Sequence, residues 1–418
     1  MVGHQRLVST KIGISMLIHQ QDRFKWLSAR TSGASCPLSP VKENNLTPFT
    51  INASLNQLFI DQYRFWTMYR DSSNGLYCDG MSATAASTCS SFYSSASTGW
   101  GLMIDAVAAE TGLISNEKAR ENALLTLQTI NDKWPRDSRG WFSHWTSPGS
   151  PDYIRQSDWE YSTIDSSIMI AGAVFAGNYF GGELSTLADS IKNTPDWNGS
   201  VDSGSPICSG SDSCSAIYMV SGDNGMENPT RPFNEYQIVS YQAKEFGQGQ
   251  NEIDFYETAF GTSGAPSGRG NFPYVKTYDA DGTTYTMLSD NSGYYMTSFA
   301  VQFPWFANNG MTDNPYYKDT VFPGQAAADK HWWAQQDWSG FQSSWGVDAS
   351  SRGWGTGAGD GPGANNVNYV VMKFGGNPTV KVWSAANMAG FMGVDSMKTE
   401  IEEDLEWLYD NDVTYTKV

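Results

Sequence analysis

The feature that most limits how this chain can fold is a recurrence of helical segments of two kinds. Over 163–180 almost every residue is apolar or small, so no polar stripe is left to face water, and such a helix must be covered by protein on all sides. Over 115–134 and 395–409 the apolar residues gather on one face and the charged residues on the other. That is the pattern of a helix covered on one side only. Further segments of helical period occupy 55–70, 100–111, 184–192, 234–246, 294–307, 323–338 and 380–392. Local punctuation agrees: Gly112 follows one segment, Ser115 opens the next and Pro135 closes it. Fully covered helices among half-covered ones are what two concentric rings require. The predicted fold class is therefore all-α, an α/α toroid with long loops and a small β-hairpin at 274–288, where alternating residues flank Asp279-Ala280-Asp281-Gly282.

No Pro- or Gly-rich linker divides the chain, so 45–418 reads as one domain preceded by a poorly structured lead-in at 1–44. That lead-in matches a signal peptide poorly, because Gly13 and Ser15 break its short apolar stretch. Of five cysteines, Cys78 and Cys89 flank one Ser/Thr-rich loop and Cys208 and Cys214 another, each pair reading as a disulfide staple with Cys36 left over. With glycosylation sequons at Asn45, Asn52 and Asn198, this pattern predicts an extracellular, secreted protein.

The net charge of −18 argues against nucleic acid and against anionic lipid, and no run is apolar enough to span a membrane. Aromatic residues make up 14% of the chain and charged residues only 17%, a balance suited to stacking neutral, hydroxyl-rich ligands such as sugars. There is no GxSxG elbow, P-loop, HExxH or strand-linked GxGxxG. No metal or cofactor is expected: CxxC is absent, and the loop at Asp279 has Asp290 rather than Glu at its twelfth position. Carboxylates and aromatics remain, the equipment of glycoside hydrolysis. Asp165 and Glu235 stand at the starts of two predicted helices, where a helix-capping role and a role at a cavity both fit. The long loops hold Trp100, Trp141, His144, Trp145, Trp159, Trp345 and Trp354, or place them at helix starts, as candidate sugar contacts, with Glu160 and Tyr236 beside them.

Several stretches carry a family resemblance. Phe65-Trp66 is followed by Asn74-Gly75-Leu76, then by Ser97-Thr98-Gly99-Trp100-Gly101-Leu102 and Gly112-Leu113-Ile114-Ser115. Gly140-Trp141-Phe142-Ser143-His144-Trp145, Ser162-Thr163-Ile164-Asp165, Asn234-Glu235-Tyr236 and Trp345-Gly346-Val347 continue the series. In this order, over about 50–410, the chain resembles the bacterial and fungal glucoamylase-like family that includes endo-β-1,2-glucanases.

The resemblance implies an (α/α)6 toroid and a glycoside hydrolase acting on a β-glucan polysaccharide or oligosaccharide, as a monomer without cofactor. It implies Glu235 as general acid, Asp165 as a second acidic position, and a base in the late loop region, where Asp348 and Asp360 are the candidates. It also implies inversion, with carboxylates about 6.5–9.5 Å apart. The chain departs from relatives in carrying Ser162 where another acid is common, with Glu160 or Asp158 placed to compensate. Two alternatives stay open on the sequence: an inactive carbohydrate-binding protein, and a polysaccharide lyase on a similar toroid. The second needs basic residues in the cleft, and only Arg231, Arg269 and Arg352 fall in the candidate loops.

Overall fold

The computed structural model describes residues 53–79, 92–148, 153, 155, 159–202, 217–222, 225–230, 234–247, 249–260, 275–288, 297–307, 309–336, 352–361, 368–371 and 385–411. The lead-in expected at 1–44 lies outside them. In chain order the helices are α1 Ala53–Tyr69, α2 Ser95–Glu110, α3 Asn116–Lys133, α4 Thr163–Phe180, α5 Glu183–Lys192, α6 Gln237–Gln242, α7 Gln250–Phe260, α8 Ser298–Ala307, α9 Asn309–Thr312, α10 Phe322–Ala334, α11 Ala385–Ala389 and α12 Lys398–Asp410. Short π-helical turns, Ala243–Gly247 and Tyr317–Val321, extend α6 and lead into α10.

Side-chain hydroxyls start the early helices. The Ser94 Oγ accepts from the Ser97 N–H at α2, Ser115 from Lys118 at α3, and Ser162 from Asp165 at α4. Burial then separates the two expected kinds. Helices α2 and α4 are covered around most of their circumference, whereas α3 buries one stripe (Ala119, Ala123, Thr126, Leu127, Thr129, Ile130) and exposes the rest. The buried helices neighbour one another in the order α2, α4, α6, α8, α11, and behind them lie α3, α5, α7, α10 and α12. The last helix returns to the first: Tyr409 OH donates to Asp61 Oδ2 at 2.7 Å, and Ser54 Oγ to Asp410 Oδ1 at 2.8 Å. One hydrophobic cluster includes residues from Leu55 to Tyr409.

The α2–α4 pair sets the spacing of the bundle's first half. A Cβ on Gly172 would sit 2.0 Å from the Gly99 carbonyl oxygen, and one on Gly99 would sit 2.4 Å from that of Ile168. Backbone meets backbone here, and no side chain can move aside.

All four described sheets are small and antiparallel. β1 Tyr93–Ser94 pairs with β2 Trp145–Thr146, and β3 Tyr161–Ser162 joins the hairpin of β4 Ile217–Gly222 and β5 Gly225–Thr230. β6 Val275–Ala280 and β7 Thr283–Leu288 form the hairpin expected at Asp281-Gly282, both in left-handed backbone (φ 48° and 81°), and β8 Ala358–Gly361 pairs with β9 Asn368–Val371.

Stretches outside the predicted helices and hairpin also contain regular structure, among them β1 to β3, β8–β9, α7 and the β4–β5 hairpin. Helix α7 hides its stripe (Phe255, Tyr256, Ala259, Phe260) in one short run at its end, after a polar Gln-Asn-Glu opening. The β4–β5 hairpin has a partly exposed second strand containing Pro229, so its alternation is weak. Cys78 is buried and disulfide-bonded, while Cys89, Cys208 and Cys214 lie outside the described residues.

A buried carboxylate ties the late chain to this scaffold. Asp329 on α10 accepts from Ser298 Oγ at the start of α8, from Thr356 N at 2.8 Å and from Thr356 Oγ1 at 3.0 Å. Asn387 Nδ2 on α11 donates to the Thr356 carbonyl at 2.7 Å, so one threonine links three helices.

Replacing Gly172 by alanine is expected to cost about 1–3 kcal/mol or more in denaturant unfolding, the range for overpacking. Gly112→Ala, which meets no neighbour and only strains left-handed backbone (φ +72°), is expected to cost about 1–2 kcal/mol, with no change in activity.

Candidate active site

The starts of α2 and α4 are laced together by the loop that carries His144. Its carbonyl accepts from the Ser95 N–H and Oγ, both at 3.0 Å, and its own N–H donates to the Glu160 carbonyl at 2.9 Å. The imidazole stacks on Trp145, with centroids 3.5 Å apart and planes at 13°. Held in that plane, its Nδ1 lies 2.6 Å from Glu160 Oε1 and its Nε2 3.4 Å from Asp165 Oδ1. The side chains of His144 and Asp165 remain 20% and 16% exposed, enough for a small ligand to reach them.

The capping role considered for Asp165 belongs to Ser162. Its Oγ accepts from the Asp165 N–H at 3.3 Å and donates to Asp165 Oδ2 at 2.5 Å. The serine at the cap and the acid three residues on are thus joined through the hydroxyl alone, and the other Asp165 oxygen faces His144.

Glu235 arrives from the next buried helix. Asn234 shapes the turn before α6, donating through Nδ2 to Thr230 Oγ1 at 3.0 Å and accepting from the Tyr236 N–H at 3.1 Å. Glu235 is half-buried in that turn and Tyr236 is buried. Burial, then the charges of Asp165, Glu235 and Glu160, push the Tyr236 phenol well above its ordinary value. One phenol is thus within electrostatic reach of all three carboxylates.

Burial alone would lower the His144 pKa, but Asp165, the hydrogen bond and charge of Glu160, and Asp79 outweigh it and hold the imidazole above its usual 6.5. The His144 hydrogen bond in turn outweighs burial at Glu160 and holds that carboxyl below 4.5.

The aromatic candidates divide. Trp145 and Trp159 meet edge to face at 6.1 Å, and Phe92 packs against both, making an aromatic wall beside the acids. Trp141 and Trp354 are corrected: both are buried in the core, against Trp197 and Phe391 respectively, and cannot stack a sugar. Trp100 is also buried, its ring 5.2 Å from that of Phe303. Trp345 and Asp348 lie outside the described residues. Asp360 sits on β8 opposite Tyr369, and its side chain is not described. Arg352 is paired at 2.9 Å with the buried Asp404 and borders a separate groove beside Trp407 and Asp410 on α12. Sequence reasoning missed Asp79 and Phe92, since neither stands in a periodic or motif context. A groove of about 650 Å³ between the β6–β7 hairpin and α10 contains none of these carboxylates.

No protein-family model and no curated protein matches the sequence. Solved structures do match it in fold. The chain superposes on a candidate glucoamylase of Bacteroides fragilis with TM-score 0.62 and 14% identity, over 88% of this chain and 84% of that one. The endo-β-1,2-glucanase of Chitinophaga pinensis, in complex with sophorotriose and glucose, matches with TM-score 0.58 and 18% identity, over 86% and 83%. A β-1,2-glucanase of Parabacteroides distasonis matches with TM-score 0.61 and 13% identity, over 87% of this chain but 51% of that one. The three share this chain's fold.

Stability should follow these charges. Buried Asp105 and Asp329, raised to about 7 and about 6, and the raised His144 contribute stability that is present at low pH and lost as pH rises through those values. Glu160 and Asp71, both lowered, contribute stability that is present above the ordinary carboxylate range and lost as pH falls. Thermal unfolding is therefore expected to peak at about pH 4–6 and decline toward pH 8, with a shallower decline in Asp329→Asn.

Proposed function

We propose that this chain, which has the fold of the glucanases just described, is an (α/α)6-toroid glycoside hydrolase that cuts a β-glucan, with a β-1,2-linked polymer as the first candidate. The observation that carries the reading is the pairing of Glu160 and Asp165 on either side of His144, stacked on Trp145 where the buried helices α2 and α4 begin, with Glu235 in the turn that leads into the next buried helix. Neighbouring negative charges favour the protonated form of a carboxylic acid, which a general acid needs. Glu235 donates its proton to the glycosidic oxygen as the bond to the anomeric carbon breaks. A carboxylate of the late chain, Asp348 or Asp360, takes the proton of the attacking water, and the product leaves as a new reducing end with inverted configuration. Trp145, half-buried and backed by Trp159 and Phe92, offers ring surface to the sugars.

Arg352 is committed to Asp404, which removes one of the basic residues that the lyase alternative would use. A binding-only protein has one observation in its favour: Ser162 places a capping hydroxyl where relatives commonly carry an acid. The exposed sequon residue Asn198 and the paired spacing of the cysteines support an extracellular route as part of the same proposal.

The test is reducing-end release from β-1,2-, β-1,3-, mixed β-1,3/1,4- and α-1,4-glucans. Activity is expected on one β-glucan, falling roughly 100- to 10,000-fold in Glu235→Gln with binding retained. Tight binding without turnover on any polymer would favour the binding protein, and activity unchanged in Glu235→Gln would remove that residue from the reaction.

A further inference from the structure

We propose that His144 is a positioning residue that works as an imidazolium, bridging Glu160 and Asp165 so that both stay ionised and the proton needed for chemistry is left to Glu235. The argument starts from donor counting. A neutral imidazole has one N–H and one acceptor nitrogen, so it can donate to only one carboxylate. Here both ring nitrogens face carboxylate oxygens, at 2.6 Å and 3.4 Å, and an ionised carboxylate only accepts. The arrangement is satisfied in full only when both nitrogens carry a proton. A flip of the ring cannot relieve it, because acceptors stand at both edges.

The surroundings fix this state. Trp145 stacks on one face of the ring, and the backbone is pinned by Ser95 on one side and Glu160 on the other. The charged and titratable groups around the ring are Glu160 ahead of β3, Asp165 on α4 and Asp79 after Cys78, all negative. Arg155 acts on Glu160, and its guanidinium lies 4.5 Å over the Tyr161 ring. Glu235 and Tyr236 face the same carboxylates from the turn before α6.

Asp165 then takes a hydrogen bond from Ser162 Oγ on one oxygen and an ion-pair contact with the imidazolium, at 3.4 Å, on the other. Both of its oxygens are thereby engaged. Of the carboxyl groups around Tyr236, Glu235 is the one left to carry the proton. Glu160, reached through the histidine, supplies the second negative charge of the pair where relatives commonly place it at the position of Ser162.

This role rests on the hydrolase reading, and its test separates the two. The chain has only four histidines (His4, His19, His144 and His331), so the His144 imidazole can be assigned by NMR through His144→Gln. Its titration midpoint is expected above 6.5 in the wild type and should fall by about one pH unit or more in both Glu160→Gln and Asp165→Asn. A wild-type midpoint at or below 6.5, or one unmoved by both substitutions, would overturn the proposal, and neither reading requires activity.

On the glucan that is cut, wild-type kcat should decline as pH rises through the NMR midpoint. Glu160→Gln should lower kcat by about 10-fold or more with KM little changed, and should move that inflection to lower pH. An active enzyme whose alkaline limb ignores the NMR midpoint would also overturn it. Inactivity on every polymer would remove the hydrolase reading while the NMR titration still decides the state of His144. Should His144→Gln fail to fold, Glu160→Gln and Asp165→Asn carry the test.

Discussion

The backbone contact between Gly99 and Gly172 is the constraint on which the site depends. Two helices can approach this closely only where neither carries a Cβ at the crossing, which falls in the first turns of α2 (Gly99) and at the middle of α4 (Gly172). The starts of α2 and α4 are thereby brought near enough for one loop to bridge them. That loop holds His144, and its strand partners hold Glu160 and the Ser162 cap. A wider crossing would separate the imidazole from at least one of its two carboxylates. Packing in the core and charge placement at the rim are therefore one problem, solved by two residues with no side chain.

Electrostatics explains why a chain with so few basic residues keeps a histidine at this point. Asp79, Glu160, Asp165 and Glu235 gather where two or three helices begin. Helix N-termini and the Ser162 hydroxyl relieve part of that repulsion. One imidazolium relieves more, and it does so with directed N–H donors rather than with a mobile lysine charge. Its flat ring also covers one face of Trp145.

The far half of the bundle uses a different device. Asp329 is buried without a counter-charge and is held by hydroxyl and amide donors from Ser298 and Thr356. Burial makes such a carboxylate readily protonated, so the anchor for the late chain is strongest on the acidic side of neutrality. Arg352, which from sequence alone could have served a negatively charged substrate, is consumed by Asp404 on the last helix.

Much of this was legible before any coordinates. The period and composition of 163–180 fix a helix with no polar face, because each residue's tendency to be buried is local information, and the helix found is Thr163–Phe180. Asp281-Gly282 forces a hairpin for the same local reason. The stretches Ser162-Thr163-Ile164-Asp165 and Asn234-Glu235-Tyr236 single out acids that stand at the starts of two buried helices. Tertiary structure alone decided which tryptophans face the site. Trp141 and Trp145 stand four residues apart in one loop, yet one is sealed against Trp197 and the other stacks on His144. The charge state of His144, the reach of Asp79 and the commitment of Arg352 were likewise invisible in the sequence. Each depends on a partner distant in the chain, and a Coulombic or hydrogen-bonding energy is set by separation in space, which no local pattern encodes.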